Sequence, residues 1–257
     1  MTIPSHAGTV PGTWNFRDIG GIATATGPIR RGVVFRSAAL AGLDRSGLRT
    51  LENLGVTDVF DLRGHAEIAR DGADRVPGSV TVRVAPFHPE DGEAPVHEVL
   101  GDSPAPRTQE DRVRAYYSAM PVFPPAQQSV GDLLRTVARG SGSVLVHCAA
   151  GKDRTGWAIA TLLLVSGADR EAVLTDYLLS NTAIDSLRSW LQTQYGDAFL
   201  ADNAVLGVDP SYLQAGWDAA EKQFGSFDGY LQAIGVDDDL VARIRRRLIE
   251  VDGPVPE

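Results

Sequence analysis

Apolar and polar positions change period several times along this chain, and each change marks an element. Residues 33–37, Val-Val-Phe-Arg-Ser, read as a short strand. Residues 44–54 follow helical spacing, with Asp44 placed as N-cap and Gly55 as the stop. Residues 56–62 read as a buried strand, and residues 79–85 alternate like another. Strand, helix and strand at these spacings predict βα units and a mainly parallel sheet. Residues 86–106 differ: their five prolines and several carboxylates show little apolar periodicity, which predicts a long loop or lid. Helices are expected over 108–120 and 125–138, then a central strand over 143–147 and a helix over 154–165 closed by Gly167. From residue 169 onward the pattern is almost wholly helical, with segments at 169–180, 182–194, 210–224, 227–234 and 237–251. The expected fold is α/β: a central mainly parallel sheet flanked by helices, with a helical C-terminal third as a candidate lid. No Gly/Ser or Pro tract long enough for a linker divides the chain, so residues 1–257 are expected to form a single domain.

Composition narrows the function. The 257 residues are 43% apolar, enough for a sizeable core, and the net charge of −9 argues against a nucleic-acid partner. The first residues lack the basic start and apolar run of a signal peptide, and the apolar stretch 158–165 is too short to span a bilayer. A soluble, cytoplasmic protein without membrane insertion is expected, with export lacking a cleaved signal as the alternative. One cysteine excludes an internal disulfide and a cysteine-based zinc cage. The five histidines show no ligand spacing, so neither a metal nor a cofactor is expected.

The chemistry concentrates between the strand 143–147 and the helix that follows, in His147, Cys148, Ala149, Ala150, Gly151, Lys152, Asp153, Arg154, Thr155 and Gly156. A tight loop of small residues leading into a helix N-terminus can aim its backbone N–H groups at one centre, which suits a tetrahedral dianion. Ala149, Ala150, Gly151 and Lys152 are the expected substrate-binding residues. Cys148 opens the loop at its base, where the same dipoles favour the thiolate as nucleophile. Arg154 supplies a planar fork for two phosphoryl oxygens, which a lysine could not. Thr155 is placed to donate its hydroxyl to the sulfur. A lone cysteine after an apolar strand is ordinarily a buried core residue; the residues around this one change that reading.

These residues resemble the bacterial tyrosine/serine phosphatases of the protein-tyrosine-phosphatase B type, within the cysteine-dependent phosphatase superfamily. The likeness extends over nearly the whole chain. It includes Trp14 to Asp18 with Gly20 and Gly21, Phe35 to Ser37, Asp61 to Arg63, Asp176 to Asn181, and Gly207 with Tyr212. The resemblance implies a metal-independent phosphomonoesterase working through a phosphocysteine. Family substrates are phosphotyrosine, often phosphoserine or phosphothreonine, and in some members phosphoinositides. Lys152 adds a cation suited to substrates with more than one phosphate. A preference for phosphoinositides is the alternative within catalysis, and a non-catalytic phosphate-binding module the alternative outside it.

Leaving-group departure needs a proton. Asp153 is the first candidate acid, with an ion pair to Arg154 or Lys152 as its competing role. The family tends to carry an aspartate shortly after Pro86 and Phe87, where this chain has His88, Pro89, Glu90 and Asp91, so Glu90 and Asp91 are displaced candidates. Asp61 and Arg63 end a strand on the edge where α/β sites gather; Arg63 is a candidate for substrate binding, and ion pairs with Arg17 or Glu67 are expected for the two. Arg36 is a further candidate contact. Tyr116 and Tyr117 are candidates to stack on a phosphotyrosine ring, and His147 is expected to hydrogen-bond the loop backbone.

Overall fold

The structure is a computed structural model that describes residues 9–88, 108–196 and 203–250. In chain order its elements are β1 (Arg17–Asp18), β2 (Val34–Ser37), α1 (Arg45–Asn53), β3 (Val56–Asp61), α2 (His65–Asp71), β4 (Thr81–Val84), α3 (Gln109–Ala119), α4 (Pro124–Arg139), β5 (Ser143–His147) and α5 (Asp153–Ser166). They continue as α6 (Arg170–Leu178), α7 (Ile184–Tyr195), α8 (Asn203–Leu206), α9 (Pro210–Phe224), α10 (Phe227–Ala233) and α11 (Asp238–Leu248). The caps explain several boundaries. Asp44 accepts from the amides of Ser46 and Gly47 to start α1. Gly167, at φ 96°, closes α5 in a left-handed conformation that costs glycine little.

The sheet order is β1-β2-β5-β3-β4. β2, β5, β3 and β4 run parallel, and β1 is antiparallel at one edge. Period-2 alternation sorts the side chains onto two faces. Val34, Phe60, Val144 and Val146 enter the larger core with residues of α3, α4, α5, α9 and α11, while Phe35, Val59 and Leu145 pack with Leu51 of α1. Central β5 is buried at every position, as a strand covered on both faces should be.

Most expected elements are present within one or two residues of their predicted ends. β1, α2 and α8 are additions that the apolar pattern did not predict. Of the expected loop, residues 89–106 lie outside the described residues, as do the candidate acids Glu90 and Asp91. No helix among the described residues is long and apolar enough to cross a membrane.

Candidate active site

β5 ends at His147, and the chain turns through residues 148–152 before α5 begins at Asp153. The site therefore lies at the C-terminal edge of the parallel strands, where open α/β sheets place their ligands. Cys148, Ala149, Ala150, Lys152, Asp153, Arg154 and Thr155 are all buried. Gly151 has φ +67°, and a Cβ built there would sit 2.1 Å from the Ser37 carbonyl oxygen, so both conformation and space require glycine.

Arg154 is 2% exposed and held by a two-pronged ion pair: Nη1 donates to Glu67 Oε2 at 2.6 Å and Nη2 to Oε1 at 2.8 Å. The charge-assisted fork keeps the guanidinium in plane and in place. Burial opposes its charge, but Glu67, with the Cys148 side chain also contributing, holds the pKa well above the usual arginine value. The sequence pointed to Arg154 but offered Glu67 only as a partner for its neighbours. The short α2 that presents Glu67 follows Gly64, whose amide donates to Glu67 Oε2 at 2.8 Å.

Asp153 accepts from the Tyr117 hydroxyl at 2.9 Å, and the Tyr177 hydroxyl donates to Tyr117 at 2.6 Å. Burial, then the carboxylate of Asp153, push both phenols well above their ordinary range, so they remain protonated donors. Asp153 also pairs with Lys152 Nζ at 3.0 Å. Lys152 is 4% exposed and donates to the carbonyls of Val205 at 2.7 Å and Gly207 at 3.2 Å. Its ammonium is thus tied to α8 and the residue after it. Ala150 packs with Leu187 and Leu191 of α7 and Leu206 of α8, and Trp14 meets Trp190 edge-on at 6.4 Å. A cavity of about 450 Å³ beside Ala149 is lined by Trp14, Ala38, Ala39 and Trp190. α7 and α8 therefore lie against the loop.

Arg63 is engaged in an ion-pair network. Nε and Nη2 donate to Asp61, Nη2 also to Asp74 at 2.9 Å, and Nη1 to the Gly72 carbonyl at 3.1 Å. The side chain is fully buried, and Asp61 and Asp74, in place of the expected Arg17 or Glu67, are the carboxylates in this pair. Asp74 also accepts from His147 Nε2 at 2.7 Å, and His147 Nδ1 donates to the Cys148 carbonyl at 3.1 Å. Acceptors on both ring nitrogens require an imidazolium. Burial works against that charge, but Asp74 and Asp61 outweigh it and raise the pKa to about 9. Asp61, Asp74 and His147 are close enough together to resemble a metal-ligand set. The Arg63 guanidinium and the His147 imidazolium together balance the two carboxylates, which makes the cluster an ion-pair network.

Two expectations meet different geometry. The Thr155 hydroxyl is buried with no hydrogen-bond partner among the described residues, so its bond to the Cys148 sulfur is not formed here. Tyr116 hydrogen-bonds His88 at 2.8 Å between its hydroxyl and Nε2, with the rings 5.2 Å apart. His88 stands in the stretch where the resemblance places an aspartate in other members. Burial, followed by the field of Arg154, lowers its pKa to about 4 and keeps it neutral.

The family model described as the tyrosine phosphatase family matches residues 9–250. The chain is 35% identical to the triple specificity protein phosphatase PtpB of Mycobacterium tuberculosis, across 93% of this chain and 98% of that protein. It is 32% identical to a Cupriavidus necator protein that carries a provisional tyrosine-protein phosphatase name, across 90% of this chain and 84% of that protein. Among solved structures, that of P. aeruginosa TpbA aligns with 72% of this chain and 86% of its own, at 19% identity and a TM-score of 0.29. On the match across residues 9–250 and the identity to PtpB, the chain belongs to the tyrosine phosphatase family.

Proposed function

We propose that this tyrosine phosphatase forms a phosphocysteine at Cys148 and hydrolyses phosphotyrosine, with phosphoserine and phosphothreonine as further substrates. One observation carries the reading: Cys148 directly follows the central strand, and six residues on, Arg154 is fixed as a charged fork in the first turn of α5.

In the first step the Cys148 thiolate attacks phosphorus, the S–P bond forms and the bond to the leaving oxygen breaks. Loop amides and Arg154 stabilise the trigonal, charge-rich phosphoryl group. Asp153, entering this step as the carboxylic acid and not as the carboxylate that pairs with Lys152, gives its proton to the departing oxygen. In the second step Asp153 takes a proton from water as that water attacks phosphorus, and the thiolate leaves with inorganic phosphate formed. The unpartnered Thr155 hydroxyl is the donor reserved for that sulfur when it carries charge. Asp153 reaches these steps only by exchanging its bonds to Lys152 and Tyr117 for one to substrate. Arg63 acts through the ion-pair network beneath His147 and not on substrate.

Lys152 supports a second reading, turnover of phosphoinositides, because it sets another cation beside the loop. The name of the mycobacterial relative, a triple specificity phosphatase, favours such breadth. For this reading the ammonium must leave the carbonyls of Val205 and Gly207.

The deciding experiment is hydrolysis of para-nitrophenyl phosphate with chelator and reductant present, for wild type and Cys148→Ser. Metal-independent turnover that disappears in the variant is expected. Turnover that survives the substitution places the nucleophile elsewhere, and an inactive wild type leaves a phosphate-binding module.

A further inference from the structure

Most buried charges around the loop are matched one to one. Arg154 faces Glu67, Lys152 faces Asp153, His147 faces Asp74 and Arg63 faces Asp61. One set is uneven. Arg17 Nε donates to Asp176 Oδ1 at 2.8 Å and Arg36 Nη1 to Oδ2 at 2.7 Å, so two buried guanidinium groups share a single carboxylate. The nearby carboxylate of Asp18 is turned to the amides of Gly20 and Gly32. One positive charge is therefore left unmatched beside the loop among the described residues.

The same set grips the loop from outside. Arg36 Nη2 donates to the Gly151 carbonyl at 2.9 Å. Asn15 Nδ2 donates to the carbonyls of Ala150 at 3.1 Å and Gly151 at 2.9 Å. The C=O and N–H of a planar trans peptide point in opposite directions. Holding those two carbonyls outward thus aims the amides of Gly151 and Lys152 inward, where a phosphoryl group needs donors. Arg17 Nη1 donates to Asn15 Oδ1 at 2.6 Å, which orients the Asn15 amide with its NH₂ toward the loop. Asn15 has φ 53°, the only non-glycine at positive φ among the described residues, and such strain is kept where the surroundings demand it.

We propose that Asn15, Arg17 and Arg36, gathered around Asp176, are positioning residues that aim the Gly151 and Lys152 amides at the phosphoryl site and set a net positive charge beside the Cys148 thiolate. The proposal rests on the phosphatase reading. Burial and Arg17 bring Arg36 down to about 10, and the Cys148 side chain is among the groups that favour its charge, an attraction that works in both directions. The other charged or titratable groups around the sulfur are the Arg154–Glu67, Lys152–Asp153 and His147–Asp74 pairs, together with Tyr116.

The test follows two quantities in the full chain: the pH midpoint of Cys148 alkylation by iodoacetamide, and the affinity for orthovanadate. Arg36→Met removes both hook and charge. It should raise the midpoint by about one pH unit and weaken vanadate at least about tenfold. Arg36→Lys keeps the charge without the fork, so it should restore the midpoint but not the vanadate affinity. Asn15→Gly accepts the positive φ without strain and loses only the amide hook; it should weaken vanadate and leave the midpoint in place. A purely structural role would move neither quantity in folded protein. A folded Arg36→Met with wild-type midpoint and affinity overturns the proposal. Should Arg36→Met fail to fold, vanadate affinity within about twofold of wild type in Asn15→Gly overturns it instead. A wild type that neither alkylates at Cys148 nor binds vanadate sinks the phosphatase reading itself, a distinguishable failure.

Discussion

At the residue scale the site is a set of buried donors and acceptors whose partners decide what each can do. Asp153 is bonded to Tyr117 and Lys152, and Tyr177 stands behind Tyr117. Tyr117→Phe removes the donor that orients the carboxylate. With Asp153 as the acid, kcat should fall several-fold for poor leaving groups such as phosphoserine and change little for para-nitrophenyl phosphate. Equal losses on both substrates would show that Tyr117 supports the fold and does not direct the proton. Lys152→Ala breaks the pair with Asp153 and the bonds to Val205 and Gly207. It should lower kcat/KM on phosphoinositides by about tenfold, more than on a phosphotyrosine peptide, because a second phosphate loses its cation. Side-by-side rates on the two substrates check this, and matching losses would remove the phosphoinositide reading.

At the element scale, α7 and α8 pack against the loop. Cys148 is 2% exposed, and Leu191, fully buried, packs with Ala150, Leu187 and Leu206. Leu191→Ala removes methyl groups from that small cluster and should cost about 2–5 kcal/mol of packing, concentrated where α7 meets the loop. Cys148 should then react faster with a bulky maleimide at fixed pH, while a small alkylating reagent gains less. Identical acceleration with both reagents would point to loosening of the whole molecule. This packing was only partly legible in sequence. Residues 182–194 have helical spacing, but nothing local indicates that α7 turns its apolar side toward Ala150 and not toward the main core.

At the scale of the whole molecule, the buried charges give stability a defined pH dependence. Against the cost of burial, Asp74 and Asp61 raise the His147 pKa from 6.5 to about 9, so its contribution is complete below pH 6.5 and is lost as pH rises through 9. Burial alone would raise the carboxyls of Asp74 and Asp176. His147 with Arg63 for the first, and Arg17 with Arg36 for the second, outweigh it and hold both below 3.8, so their contribution is lost only in acid. His88, lowered to about 4, binds its proton in the unfolded chain first and adds a decline as pH falls from 6.5. The urea midpoint should therefore peak near neutral pH and fall toward both pH 4 and pH 10. A midpoint still rising at pH 10 would contradict the imidazolium assigned to His147. We propose that the chain unfolds as one domain, with tryptophan fluorescence and far-ultraviolet circular dichroism reporting coincident transitions at each pH.

The sequence by itself determined most of the elements and singled out the candidate residues of the site, because both are local matters. Period, caps and glycine stops place β2, α1, β3, β5 and α5. Cys148, Gly151 and Arg154 stand out by their spacing across one loop and the first turn of α5. Its local signals ran out at β1, two residues long, and at α2, seven residues following a glycine without an N-cap side chain. Only the tertiary structure decided the partners: Glu67 for Arg154, Asp74 for His147, and Asp176 for both Arg17 and Arg36. The physical reason is distance along the chain. Glu67 lies 87 residues from Arg154, Asp74 lies 73 from His147, and Asp176 lies 159 from Arg17. An ion pair between such positions has no period and no spacing; it exists only once the sheet brings the ends of β2, β3 and β5 together and burial makes every unpaired charge costly.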